Sequence, residues 1–269
     1  MLQGTARMVA EAVGRNSRLV SRLRPTYESV LDWWSGGRGI PWEINGVMFR
    51  VDPRNRHRLG QNYDAPVAAF LRERIRPGDT CIDVGANVGV YVLQFAHWSA
   101  PSGHVVAFEP NPDALRVLRQ HVEWNGLQNR VEIAPMAVSD TPGHATLYAI
   151  EADGMSRLDQ PNASIASEVK PLTVDVTTID EFCERTGLKP DWMLIDIEGF
   201  EIEALRGARR VIGERADHLG IIVEIHPDVW RGTHDEAVQL FNELGVRPVP
   251  LTGQRDPLAE HGLVHLAHL

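Results

Sequence analysis

The chain has 269 residues, 43% of them hydrophobic and 23% charged, with a formal net charge of −9. That acidic balance speaks against non-specific nucleic-acid binding, and no apolar run approaches the ~18 residues of a membrane span. Cys81 and Cys183 form neither a disulfide framework nor a metal spacing, and the N-terminus lacks an apolar signal-peptide core, so a cytoplasmic protein is expected.

Residues 1–30 read as a basic helix, with Met8, Ala12, Leu19, Leu23 and Val30 among Arg7, Arg15, Arg18, Arg22 and Arg24. The pattern fits a cap or docking helix, with a membrane-surface helix as the alternative. Trp33, Trp34 and Trp42 flank a Gly-rich turn and read as packing for a small appendage, a sugar site being the other use. Asn45-Gly46 between apolar alternations predicts a hairpin. We expect an N-terminal helical and hairpin appendage over 1–60 and the main domain over 61–269.

From Asp64 the period changes. Val67, Phe70, Leu71 and Ile75 have helical spacing, and Pro77-Gly78-Asp79 ends that helix. Thr80–Val84 is a buried strand, Gly85–Gly89 a Gly-rich turn, and Val88, Val92 and Phe95 mark the next helix. His104–Glu109 is a second strand. Asn111 and Pro112 cap and start a helix that ends at Asn125-Gly126. Val131–Ala134 is a third strand, and 145–150 and 172–176 read as extra strands. The polar stretch between them, Glu151 to Lys170 with Met155, Ser156 and Arg157, reads as a substrate lid or a surface insertion. Thr178 and Glu181 spell a capping box. Trp192–Ile197 and Ile221–Ile225 are further core strands, with one helix through Leu205, Ala208 and Ile212 between them. A helix from Glu236 to Leu244 precedes a closing strand pair, 246–251 and 263–266.

Alternating apolar strands and amphipathic helices predict a doubly wound, mostly parallel α/β sheet. Ligands of such sheets bind beyond the strand C-terminal ends. Candidate chemistry therefore gathers at Asp83–Gly89, Glu109–Asn111, Met136–Asp140, Asp196–Gly199 and Glu224–Pro227.

A dinucleotide fingerprint requires a middle glycine so that pyrophosphate can approach the backbone. Here that glycine is replaced by Asn87. S-adenosylmethionine carries no phosphate: Asp83 can face its amine, the turn N–H groups its carboxylate, and Glu109 its ribose hydroxyls. The duller reading makes Asp83 a cap, Gly85 and Gly89 packing glycines, and Glu109 a solvated charge.

These residues resemble the FkbM family of S-adenosylmethionine-dependent methyltransferases. The matching stretches are Cys81–Gly89, Ala107–Asn111, Ala137–Asp140, Thr177–Phe182, Ile195–Gly199 and Val223–His226. The resemblance implies a Rossmann-like seven-stranded methyltransferase sheet and O-methylation of a sugar, glycan or natural-product hydroxyl. By position, Asp83, Gly85, Ala86, Asn87 and Gly89 would hold the methionine end and Glu109 the ribose. Pro110 and Asn111 would border the adenosine, and Met136 and Ala137 the adenine, with Ser139 and Asp140 nearby. Leu194 stands where relatives often carry Lys.

Methyl transfer to an alcohol needs positioning and a proton acceptor. His226, Glu198 and Asp196 are the catalytic candidates, His226 first because it titrates near neutrality. No metal site is assigned, although Asp196 and Glu198 leave a divalent ion open. The competing readings are a nicotinamide-dependent oxidoreductase and a non-catalytic cofactor-binding module.

Overall fold

The computed structural model describes residues 18–150, 169–230 and 233–269. The first part of the expected basic helix, and residues 151–168 of the expected lid with Met155, Ser156 and Arg157, lie outside the described residues. The chain divides into two compact units, 1–61 and 62–269.

In the first unit, α1 (Arg18–Trp34) precedes a hairpin of β1 (Ile40–Ile44) and β2 (Val47–Val51). Asn45 and Gly46 take φ of 48° and 83°, the pair of left-handed residues that a two-residue hairpin turn requires. Leu31, Ile40, Ile44, Phe49, Val51 and Leu59 are buried. Trp42 packs as expected, its indole N–H donating to the Leu59 carbonyl at 2.6 Å. Trp33 and Trp34 do not: α1 runs on through them and leaves them 82% and 65% exposed.

The second unit runs α2 (Ala65–Arg74), β3 (Thr80–Val84), α3 (Val90–Trp98), β4 (His104–Phe108), α4 (Pro112–Trp124), β5 (Val131–Ala134), β6 (Ala137–Val138), β7 (Gly143–Ile150) and β8 (Val169–Thr177). It continues with α5 (Ile179–Thr186), β9 (Trp192–Ile195), α6 (Glu201–Arg206), α7 (Arg209–Glu214), β10 (Gly220–Ile225), α8 (His234–Leu244), β11 (Val246–Pro250) and β12 (Gly262–His268). Seven strands form one sheet in the order β11-β12-β10-β9-β3-β4-β5. It is parallel except at β12, which runs antiparallel to both β10 and β11. This is the doubly wound α/β sheet expected, closed by the expected antiparallel pair. Core strands such as Gly220–Ile225 bury both faces, which explains their continuous apolar runs. The strand order reverses between β3 and β9, so a crevice opens beyond their C-terminal ends.

Three local details differ from the expectation. The extra strands do not join the main sheet; they pair as β6-β8-β7 in a sheet of their own. The helix through Leu205 and Ile212 is two helices broken at Gly207, where a Cβ would overlap the Ser139 carbonyl. Of the capping box at Thr178, only half forms. The Thr178 hydroxyl accepts the Glu181 N–H at 3.0 Å, while the Glu181 carboxylate turns to the Thr177 hydroxyl. A complete box occurs instead at Thr233 and Glu236, at the start of α8. No described helix is long and apolar enough to cross a membrane.

Candidate active site

The turn after β3 is shaped by close approach. Gly85 has φ +89°, and a Cβ there would overlap the Asp196 carbonyl at the end of β9. Gly89, at φ +90°, faces Leu118 of α4. His121 of α4, fully buried, places Nδ1 2.7 Å from the Val88 carbonyl and pins that helix to the turn. The glycines thus serve packing first.

Of the turn N–H groups, expected to face a cofactor carboxylate, those of Gly85, Ala86, Asn87 and Gly89 are engaged within the protein. Gly85 and Ala86 both donate to the Phe108 carbonyl, at 3.0 and 2.9 Å. Gly89 donates to Ala86, and Asn87 to Glu109 Oε2 at 2.7 Å. Left-handed φ at 85, 87 and 89 curls the chain back so that it satisfies itself.

What the turn offers a ligand is acceptors. Asp83 is 2% exposed and takes the Val92 N–H of α3, yet its Oδ2 has no partner. Burial, and then the neighbouring Glu109 charge, push its pKa up to about 8 against the lowering effect of the Val92 N–H. The buried Oδ1 of Asn87 also lacks a partner. Glu109 is buried, and its Oε1 accepts the Asn111 N–H at 2.8 Å.

One cleft collects these strand ends. Of the expected cofactor residues, Gly85, Asn87, Glu109, Pro110, Met136 and Ala137 line it, and Asp196 and Glu198 line it too. Val84, Phe108, Val138, Leu147 and Ile197 supply apolar wall, and no Lys, Arg or His is among the lining residues. Asp83, Ala86 and Gly89 are buried residues of the same strand and turn but do not line the cleft. Asn111 instead caps α4, accepting the Asp113 N–H at 2.9 Å. Ser139 and Asp140 lie off the cleft, where the Ser139 N–H bonds Thr177.

Beside the cleft stands a cluster of acids and imidazoles. His226 follows β10 and is buried; its Nδ1–H donates to Glu201 Oε1 at 2.8 Å. Glu201, fully buried, also accepts the Gly199 N–H at 2.9 Å and the Trp230 indole N–H at 3.1 Å. That bond leaves His226 Nε2 facing Glu198 Oε2 at 3.7 Å, and Asp196 Oδ1 and Glu224 Oε1, both at 4.0 Å. Burial lowers the His226 pKa, but the Glu201 hydrogen bond and the charges of Glu201, Glu198 and Glu224 outweigh it and leave the pKa raised. Burial and a shared hydrogen bond with Glu224 hold Asp196 well above the usual carboxylate range. Glu198 does not cap α6, whose N-cap is Phe200. It takes φ +54°, a conformation costing roughly 1–2 kcal/mol for a non-glycine residue, and lines the cleft from there.

Sequence reasoning missed Glu201, His261 and Tyr63. Glu201 reads as an ordinary first-turn acid of a helix. His261, in the loop before β12, is brought over the site only by strand pairing, with Nε2 3.0 Å from Glu224 Oε1. Burial, and then the charges of Asp196, Asp64, Glu224 and Asp83, hold the Tyr63 hydroxyl above its ordinary range.

Comparison with known proteins gives the family. A 31-O-demethyl-FK506 methyltransferase, FkbM, of Streptomyces tacrolimicus is 32% identical over 133 residues, 48% of this chain and 44% of that protein. The hexuronic acid methyltransferase AglP of Haloferax volcanii is 27% identical over 168 residues, 61% of this chain and 62% of its own length. The matched stretch therefore spans less than two thirds of either relative. Among solved structures, the methyltransferase FkbM from Methylobacillus flagellatus KT superposes with a TM-score of 0.48 at 18% identity, covering 72% of this chain and 44% of that one. The family model of the methyltransferase FkbM domain matches residues 83–248, and the chain belongs to that family.

Proposed function

We propose that the protein is an S-adenosylmethionine-dependent methyltransferase acting on a hydroxyl oxygen. The observation that carries this reading is the acid-lined cleft. Glu109, Asp196 and Glu198 line it without any basic side chain; Asn87 Oδ1 in its lining, and Asp83 Oδ2 buried in the adjoining β3, have no partner. Such a site fits a ligand bearing positive charge with amine and hydroxyl donors. It does not fit the pyrophosphate of a nicotinamide dinucleotide, which brings only acceptors and negative charge.

Asp83 and Asn87 would hold the amine end and Glu109 the ribose hydroxyls. Met136 and Ala137 would border the adenine. When bound, S-adenosylmethionine supplies an electrophilic methyl group on its sulfonium. Asp196 and Glu198 position the acceptor hydroxyl at the end of β9. His226 Nε2, held in place through Nδ1 by Glu201, takes the hydroxyl proton. Leu194, buried in β9, supplies no amine at that point of the strand.

The relatives named above are a 31-O-demethyl-FK506 methyltransferase and a hexuronic acid methyltransferase, so sugars, glycans and natural products form the acceptor class to test. A panel of these, incubated with S-adenosylmethionine and read by product mass, is expected to show the gain of one methyl group. Calorimetry with S-adenosylmethionine and with NAD separates the cofactors. NAD binding in place of S-adenosylmethionine would overturn the reading.

A further inference from the structure

Glu224 of β10, His226 just after it and His261 just before β12 converge at one edge of the sheet. One donor atom from each lies within 4.8 Å of the other two. The antiparallel pairing of β10 with β12 sets Glu224 opposite Leu263 and Ile225 opposite Gly262. That register carries His261 over the end of β10. Its Nε2 is 3.0 Å from Glu224 Oε1, and the two imidazole rings lie 4.8 Å apart.

Two further observations point to a ligand. The fully buried Glu201 takes the Nδ1–H of His226, so in the neutral ring the lone pair is on Nε2, which faces the cluster. A carboxylate holding the far nitrogen in this way is how metal-bound imidazoles are fixed. Asp196 Oδ1 and Glu198 Oε2 then stand 4.0 and 3.7 Å from that same Nε2, so oxygen donors flank the nitrogen donors.

We propose that Glu224, His226 and His261 bind a divalent transition-metal cation, with Asp196 or Glu198 completing the coordination. Two imidazoles select Zn²⁺- or Mn²⁺-type ions over Mg²⁺ and Ca²⁺, which prefer all-oxygen sites. Metal–ligand bonds of about 2.0–2.2 Å allow opposite ligands to lie about 4.4 Å apart at most. His261, 60% exposed at its side chain, is the residue able to close the small remaining gap. The inference goes beyond the methyl-transfer reading and does not need it. In the loaded protein a Lewis acid stands where the free protein presents the His226 Nε2.

The test uses the full chain, stripped with chelator and titrated with ZnCl₂ and MnCl₂ by calorimetry and with CoCl₂ by visible absorption. A single cation per chain is expected, with affinity reduced at least about ten-fold in His261→Ala and in Glu224→Gln. His261 is exposed, so metal-free His261→Ala should melt where the metal-free parent does. No saturable uptake, or equal affinity in parent and variants, overturns the site. S-adenosylmethionine is titrated into the same preparations. Cofactor binding without cation uptake removes the metal site alone, and the reverse removes the cofactor reading alone.

Discussion

Glu201 Oε1 lies 2.8 Å from His226 Nδ1, and this one contact decides which imidazole nitrogen faces the acids at the ends of β9 and β10. It also raises the pKa of the group it orients. A base works in its deprotonated form, so turnover should rise as pH passes the His226 pKa, above the ordinary imidazole range.

His226→Ala should then lower kcat by about 10²–10⁴-fold while leaving S-adenosylmethionine affinity unchanged. Glu201→Gln removes the charge that raises the imidazole pKa, so the acid limb of the kcat/KM profile should move to lower pH. Identical profiles for Glu201→Gln and the parent would remove Glu201 from its positioning role.

Asp83 predicts a coupling between pH, stability and cofactor. Its pKa rises from 3.8 to about 8 on folding, so between these values the folded chain holds a proton that the unfolded chain has lost. Stability from this group is fully present below pH 3.8 and is lost as pH rises through about 8. Urea unfolding at pH 5 and 8 checks this, and Asp83→Asn should flatten the difference.

An amine beside Asp83 favours the carboxylate, so cofactor binding should release a proton. Affinity then rises toward pH 8 by at most about ten-fold per pH unit. Calorimetry in buffers of different ionisation enthalpy reads the released proton directly. A proton count of zero at pH 6 would show that Asp83 does not meet the amine.

The glycines separate packing from conformation. Gly85→Ala puts a methyl group into the Asp196 carbonyl at a left-handed φ, and should cost roughly 2–5 kcal/mol. Gly126→Ala, at φ +67° with nothing within 4 Å, should cost only about 1–2 kcal/mol. Equal costs in denaturant titrations would mean that the approach of the turn to β9 is not tight.

In the first unit, Trp42→Phe loses the indole bond to Leu59 and should cost about 0.5–1.5 kcal/mol. Trp33→Phe, at a side chain 82% exposed, should stay within about 0.5 kcal/mol of the parent. Thermal melts of the two variants give the comparison.

The strands and the cleft were legible because apolar runs alternate with helical periods, and strand C-terminal ends have only one place to meet. Asp83, Glu109 and Asp196 could be read from that rule alone. The destination of the turn N–H groups could not, because it depends on φ at Asn87 and on the position of the Phe108 carbonyl across the sheet. Gly207 looked like part of one helix, since its neighbour Ser139 lies far away in sequence. Glu201 and His261 escaped for a similar reason. Their partners come from other elements, and only the register of β9, β10 and β12 brings them together.

Glu109 closes its two oxygens on the N–H groups of Asn87 and Asn111. A carboxylate tethered at both oxygens is held against rotation, and a carboxylate offers about four lone-pair sites for acceptor bonds. A diol arriving there meets an acceptor whose rotamer was chosen when the chain folded. The ordering cost of about 0.5–1.5 kcal/mol that a loose side chain would add to binding has already been met. Replacing Glu109 with Asp or Gln would therefore weaken recognition twice over, by shortening or neutralising the acceptor and by releasing the turn that it ties to α4.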